Sequence, residues 1–154
     1  MNTVILLRVA AIVAAIQGVA HGTLILTAKP RHGPAERLVI EAMRTNHFAF
    51  MGASRSYWDF YFGYAMMGAL TCLVEAVLFW QLSRFTATSS DAVRAVAGVF
   101  ILFNVGHALL ATKFFILTPI VFDVALALLL GAVMVKAPTT AQLNRSSPQW
   151  QQGL

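Results

Sequence analysis

Charge is scarce in this chain. Asp, Glu, Lys and Arg make up 11% of its 154 residues, less than half of the roughly 25% usual in a soluble domain. Too few polar groups are available to cover a water-facing surface, so a soluble globular fold is excluded. Cysteine is almost missing. The single Cys72 permits neither a disulfide framework nor a cysteine-based metal site. Lying within an apolar run, it reads as a small core residue, because reactive thiolates need polar surroundings. No Glu-x-x-His or His-x-x-x-His spacing occurs, so no preformed ligand geometry is offered and no metal is expected. A haem ligand pair, a nucleotide-binding loop and a flavin signature are equally lacking, and no cofactor is expected. Basic residues outnumber acidic ones eleven to six but are dispersed. That argues against a nucleic-acid partner and suits lipid headgroups at helix ends.

What the chain has is apolar length. Hydrophobic residues make up 58%, and mean hydropathy is +0.72. Val9–Leu26 and Ala95–Thr112 carry no charge, while Phe60–Leu82 and Phe114–Val135 carry one acid each, Glu75 and Asp123. A helix needs roughly 20 mostly apolar residues to cross the hydrocarbon. The expected fold is therefore all-α: a four-helix transmembrane bundle with spans at about 4–27, 57–83, 91–113 and 118–136. One domain is expected over 1–136, followed by a disordered polar tail at 137–154. No internal repeat is found. The first span lacks a basic segment before it and exceeds a signal core of about 7–15 residues, so it is expected to be retained.

The connection 28–56 holds more structure. Lys29-Pro30-Arg31-His32-Gly33-Pro34 stops the first helix and turns. Pro34 then suits the first position of a short helix over 35–50. Leu38, Val39, Ala42 and Met43 gather on one side of it, opposite Glu36, Arg37, Glu41 and Arg44, which describes an amphipathic interfacial helix. Ser90-Asp91 offers an N-cap for the third span, and Pro119 suits the first turn of the fourth. Four spans put both termini and the 84–94 turn on one face. That face holds five bases (Arg8, Arg84, Arg94, Lys136, Arg145) against six on the other, so basic residues do not fix orientation. The compact basic turn and tail favour termini inside.

Polar side chains within spans are where chemistry is sought, because burying them is costly. At 100° per residue, Tyr57, Tyr61, Tyr64, Gly68, Thr71 and Glu75 share a sector of roughly 80°, expected to face the bundle interior. This stripe is either polar glue between helices or a cavity wall with Glu75 as proton donor or counter-ion. Gln17 and His21 share a face of the first span, with Gly18 and Gly22 beside them for close helix approach. Asn104 and His107 share a face of the third. Glu75 and His107 are the candidate catalytic pair for acid–base chemistry. At the mouth of the second span, Arg55 and Asp59 are placed to pair. Alternatively, Arg55 binds an anionic headgroup, with Trp58 over an apolar ligand and Arg31 and His32 nearby. Candidate ligand contacts are thus Arg55, Tyr57, Trp58, Asp59, Tyr61, Tyr64, Asn104, His21 and Gln17. Asp123 is read as structural, favoured by the helix N-terminal dipole or paired with Lys113.

Lys29-Pro30-Arg31-His32-Gly33-Pro34, Met51-Gly52, Arg55-Ser56-Tyr57-Trp58-Asp59-Phe60-Tyr61-Phe62-Gly63, Phe114-Phe115 and Pro119-Ile120 resemble a family of small bacterial four-helix membrane proteins. The resemblance covers about the first 135 residues. It implies a multi-pass protein of the bacterial inner membrane and brings no activity with it. In architecture and intramembrane acids the chain is also loosely similar to the emopamil-binding and sigma-2-receptor-like superfamily, which binds sterols and similar apolar ligands. No residue of that superfamily is carried over. Two functions stay open. One is a binder of a membrane lipid or other apolar small molecule, with acid–base, isomerase-like chemistry. The other is a non-catalytic accessory or structural subunit, joined to a membrane-protein partner or to copies of itself.

Overall fold

The structure, a computed structural model, describes residues 2–137. The expected disordered tail lies outside the described residues except for Ala137, which is buried. Among the described residues the order is α1 (Thr3–Thr27), α2 (Pro34–Thr45), β1 (His47–Phe50), β2 (Ala53–Ser56), α3 (Tyr57–Leu82), α4 (Ser90–Phe114) and α5 (Leu117–Lys136). Helices α1, α3, α4 and α5 are each long and apolar enough to cross a membrane. The chain is a multi-pass membrane protein, with a small helix between the first two spans. By contacts it divides into two compact units. One joins the residues up to Ala15 with those from Glu75 onward, and the other is Ile16–Val74.

The first unit holds the main apolar core. Leu6, Leu7, Ala10, Ala11 and Ala14 of α1 recur at helical spacing and are buried with Ala76 and Phe79 of α3, Val93 and Ala97 of α4, and Leu126, Leu130 and Val133 of α5. Phe79 meets Phe100 edge-on at 5.0 Å. Between helices in lipid such contacts stabilise by dispersion and fit, because hydrocarbon is as apolar as the side chains themselves. Arg94 of α4 donates to the carbonyls of Met134 and Ala137, satisfying acceptors that the end of α5 leaves open. The expected capping of α4 by Ser90-Asp91 is not made. Ser89 occupies the N-cap position without a side-chain cap bond, and Ser90 is already helical.

In the second unit, α1 and α3 approach closely. A Cβ on Gly18 would sit 2.9 Å from the Ala69 carbonyl oxygen, and one on Gly22 would be 3.5 Å from the Ala69 Cβ. Small residues four apart allow this approach. Gly33 (φ 96°) precedes α2, with Pro34 at its first turn. The Glu36 carboxylate accepts the backbone N–H groups of Arg31 (2.5 Å) and His32 (2.6 Å). Those bonds, first among them the one from His32, hold its carboxyl below the usual carboxylate range.

The interfacial helix is shorter than its apolar pattern suggests. The Asn46 side chain and backbone N–H both return to the Ala42 carbonyl, ending α2 at Thr45. A β-hairpin then replaces the helix expected to Phe50. Met51 (φ 49°) and Gly52 (φ 84°) form its two-residue turn, both in the left-handed region that such a turn requires.

Candidate functional site

Three buried polar residues of the first unit stand apart from its apolar core. Glu75 lies two turns before the end of α3, on the face it shares with Phe79, and is 3% exposed. On α4, Ala97, Asn104 and Ala111 recur at seven-residue spacing and are all buried. On α5, Asp123 shares its inward face with Leu126, Leu130 and Val133. The same periodicity that buries the leucines therefore turns Asp123 inward.

There it meets histidine. His107 Nδ1 lies 2.8 Å from Asp123 Oδ2, while 42% of the His107 side chain stays exposed. A carboxylate can only accept, so an ionised Asp123 requires the ring proton on Nδ1 and leaves Nε2 as the free basic nitrogen. Phe103 stacks on the imidazole with planes 2° apart and centroids at 6.1 Å. Glu75 is within electrostatic range of both Asp123 and His107. Asn104 donates from Nδ2 to the Phe100 carbonyl at 2.8 Å, but its buried Oδ1 has no hydrogen-bond partner among the described residues. Glu75, Asn104 and His107 all belong to the first unit. Asp123 belongs with them, and sequence reasoning assigned it to Lys113 or the helix dipole instead. Its signal was its register with the α5 leucines. Among the described residues no group of three His, Cys, Asp or Glu side chains is placed to hold a metal.

The other candidates lie in the second unit. Gln17 is buried, and His21 Nε2 occupies the space that a Cβ on Gly68 would approach to 3.6 Å. The tyrosine stripe needs correction. Tyr57, Tyr61 and Tyr64 are 66%, 50% and 72% exposed, so this part of the face is not interior. Their rings occupy the first turns of α3, within roughly 10 Å of its start, where phenols suit the aromatic belt. Tyr57 packs on Phe48 and Tyr61 on Trp58. Thr71 also needs no neighbour, because its hydroxyl donates to the Met67 carbonyl. Only at Glu75 is the face covered.

The Arg55–Asp59 pair is corrected as well. Asp59 Oδ2 accepts the Ser56 backbone N–H at 2.8 Å, and the Asp59 N–H donates to Ser56 Oγ at 3.2 Å. This is a reciprocal capping box at the start of α3. Arg55 donates to the Ser54 carbonyl instead. Trp58 is covered by the Arg44 guanidinium, 4.1 Å from a ring centroid.

An open groove of about 480 Å³ lies in the first unit, lined by Ala11, Ile12, Ala15, Ala76, Val77, Trp80, Gln81 and Arg84. At about 100° per residue its α3 wall faces away from Glu75. A ligand in this groove therefore cannot touch the acid. No family model, curated protein or solved structure matches the chain.

Proposed function

We propose that this protein, in the bacterial inner membrane, binds an apolar, lipid-like ligand and exchanges protons with it, in the manner of a double-bond isomerase. The observation that supports this reading is the 2.8 Å bond from His107 to Asp123 inside a span. Asp123 orients the imidazole, and the part-exposed ring offers Nε2 to a ligand arriving from the bilayer. Glu75 supplies a second proton-exchanging group. A double-bond shift adds a proton at one carbon and removes one from another. With Glu75 giving one proton and His107 taking the other, the ligand's protons balance, and the protein returns to its starting state when a proton passes from His107 back to Glu75; no external oxidant or reductant is required.

The test works with an unidentified ligand. Protein reconstituted with a total bacterial lipid extract is incubated in D₂O, and apolar compounds are screened by mass spectrometry for deuterium. Incorporation by the native protein, lost in Asp123→Asn and in Glu75→Gln, is the expected result. Incorporation no greater than in protein-free vesicles would sink the reading.

A second reading is a non-catalytic subunit, and one observation favours it. Glu75 is packed rather than set in an open groove. On that reading the buried polar groups fasten helices together and the exposed faces meet a membrane-protein partner or another copy of the chain. Co-purification of a stoichiometric partner, without deuterium incorporation, would support it.

A further inference from the structure

The groove across α3 from Glu75 has a composition of its own. Its floor is small, with Ala11, Ala15 and Ala76, and its walls include Ile12 and Val77, which are 52% and 57% exposed. Towards the end of α3 the lining changes to Trp80, Gln81 and Arg84. Arg8 joins them, its guanidinium lying over the Trp80 ring at 5.2 Å. Counting about 1.5 Å per residue, Ala76 lies roughly 9 Å deeper than the end of α3 at Leu82, and Ala15 roughly 10 Å deeper than Arg8. Cations and an indole therefore sit at the membrane face, above an alkyl-walled trough that descends into the hydrocarbon. Neither arginine has a carboxylate partner among the described residues. The volume of about 480 Å³ falls in the ordinary range for ligand sites, about 300–1,000 Å³.

We infer that this groove is a binding site for an anionic phospholipid of the surrounding bilayer. One acyl chain lies along Ala11, Ala15, Ala76 and Val77, and the phosphate is held between Arg8 and Arg84. Charge complementarity selects the occupant. Two unpaired guanidinium groups favour a phosphodiester whose headgroup adds no compensating cation. Trp80 fills the interfacial level, where its amphipathic ring is stable. This site is separate from the His107–Asp123 centre and does not depend on the acid–base reading.

Trp80 gives the readout. In a Trp58→Phe, Trp150→Phe background it is the sole tryptophan. The protein is placed in phosphatidylcholine vesicles carrying a small, equal fraction of brominated phosphatidylglycerol or brominated phosphatidylcholine. Brominated phosphatidylglycerol should quench Trp80 preferentially, with enrichment of about fivefold per arginine near the surface. Arg8→Gln with Arg84→Gln should remove the preference while helix content stays native. Ile12→Phe with Val77→Phe enlarges two exposed wall residues without touching the core, and should cut quenching by phosphatidylglycerol towards that by phosphatidylcholine. Equal quenching by both lipids in the native groove would overturn the proposal. So would a preference that survives the double glutamine change. A preference that survives filling of the groove would reduce the effect to general attraction at the interface and would also overturn it.

Discussion

His107 of α4 and Asp123 of α5 share a 2.8 Å hydrogen bond within the spans, an inter-helix contact between two side chains that can each exchange a proton. Because 42% of the histidine side chain stays exposed while Asp123 is buried, the pair has an inner, orienting end and an outer, reachable one. In lipid such a bond has a modest net worth, since a separated helix finds substitute partners. Its greater consequence is to fix which ring nitrogen is free.

The pair can be separated from its surroundings by a double-mutant cycle. Asp123→Asn and His107→Ala are each expected to destabilise the protein by about 0.6–2 kcal/mol, and the double change should cost less than their sum. Reversible unfolding in mixed micelles measures this. Strict additivity would show that the two side chains do not act together.

Helix approach at Gly18 gives a steric prediction. A Cβ there would lie 2.9 Å from the Ala69 carbonyl oxygen, whereas one at Gly63 meets nothing within 4 Å. Gly18→Ala should therefore lose about 1–3 kcal/mol through overpacking. Gly63→Ala should be neutral or gain up to about 1 kcal/mol from helix propensity. Equal effects in thermal unfolding would contradict the packing.

Ser56 and Asp59 should behave as a cap and Arg55 as a bystander. Removal of the cap by Ser56→Ala is expected to cost about 0.5–2 kcal/mol, and Asp59→Ala a similar amount. Arg55→Gln should leave stability within about 0.5 kcal/mol, the usual span for a surface change. If Arg55→Gln were as damaging as Asp59→Ala, the ion-pair reading would return.

Glu36 predicts a pH response outside the membrane. Its carboxyl is held below the ordinary value of 4.5 by the N–H of His32 above all. As pH falls, the unfolded turn takes up the proton before the folded one. The contribution to stability is therefore complete above about 4.5 and is lost as pH drops through the lowered folded value. The His32 and Arg31 amide resonances should carry a transition in solution more acidic than the ordinary carboxylate value of about 4.5. In Glu36→Gln that transition should vanish. Its persistence would assign it to another group.

How much of this was legible in the chain follows from what periodicity can encode. The four apolar runs set the spans, because length and hydropathy alone decide whether a helix can cross hydrocarbon. The turn at Pro30–Pro34 and the start of α2 were equally readable, since proline and glycine act through the local backbone. The closeness allowed by Gly18 and Gly22 was readable too, as both lie on one face four residues apart. The helical wheel also grouped Tyr57, Tyr61, Tyr64 and Glu75 correctly, but a wheel reports which residues share a face and not how far along the helix that face is covered. Only the tertiary structure decided that Glu75 is buried while the tyrosines are exposed. It likewise decided that Asp59 turns back to Ser56, that Asn46 ends α2, and that Asp123 meets His107. The reason is physical. A polar side chain takes whichever partner the packed backbone brings within about 3 Å, and for residues sixteen apart on neighbouring helices that distance is set by how the helices pack.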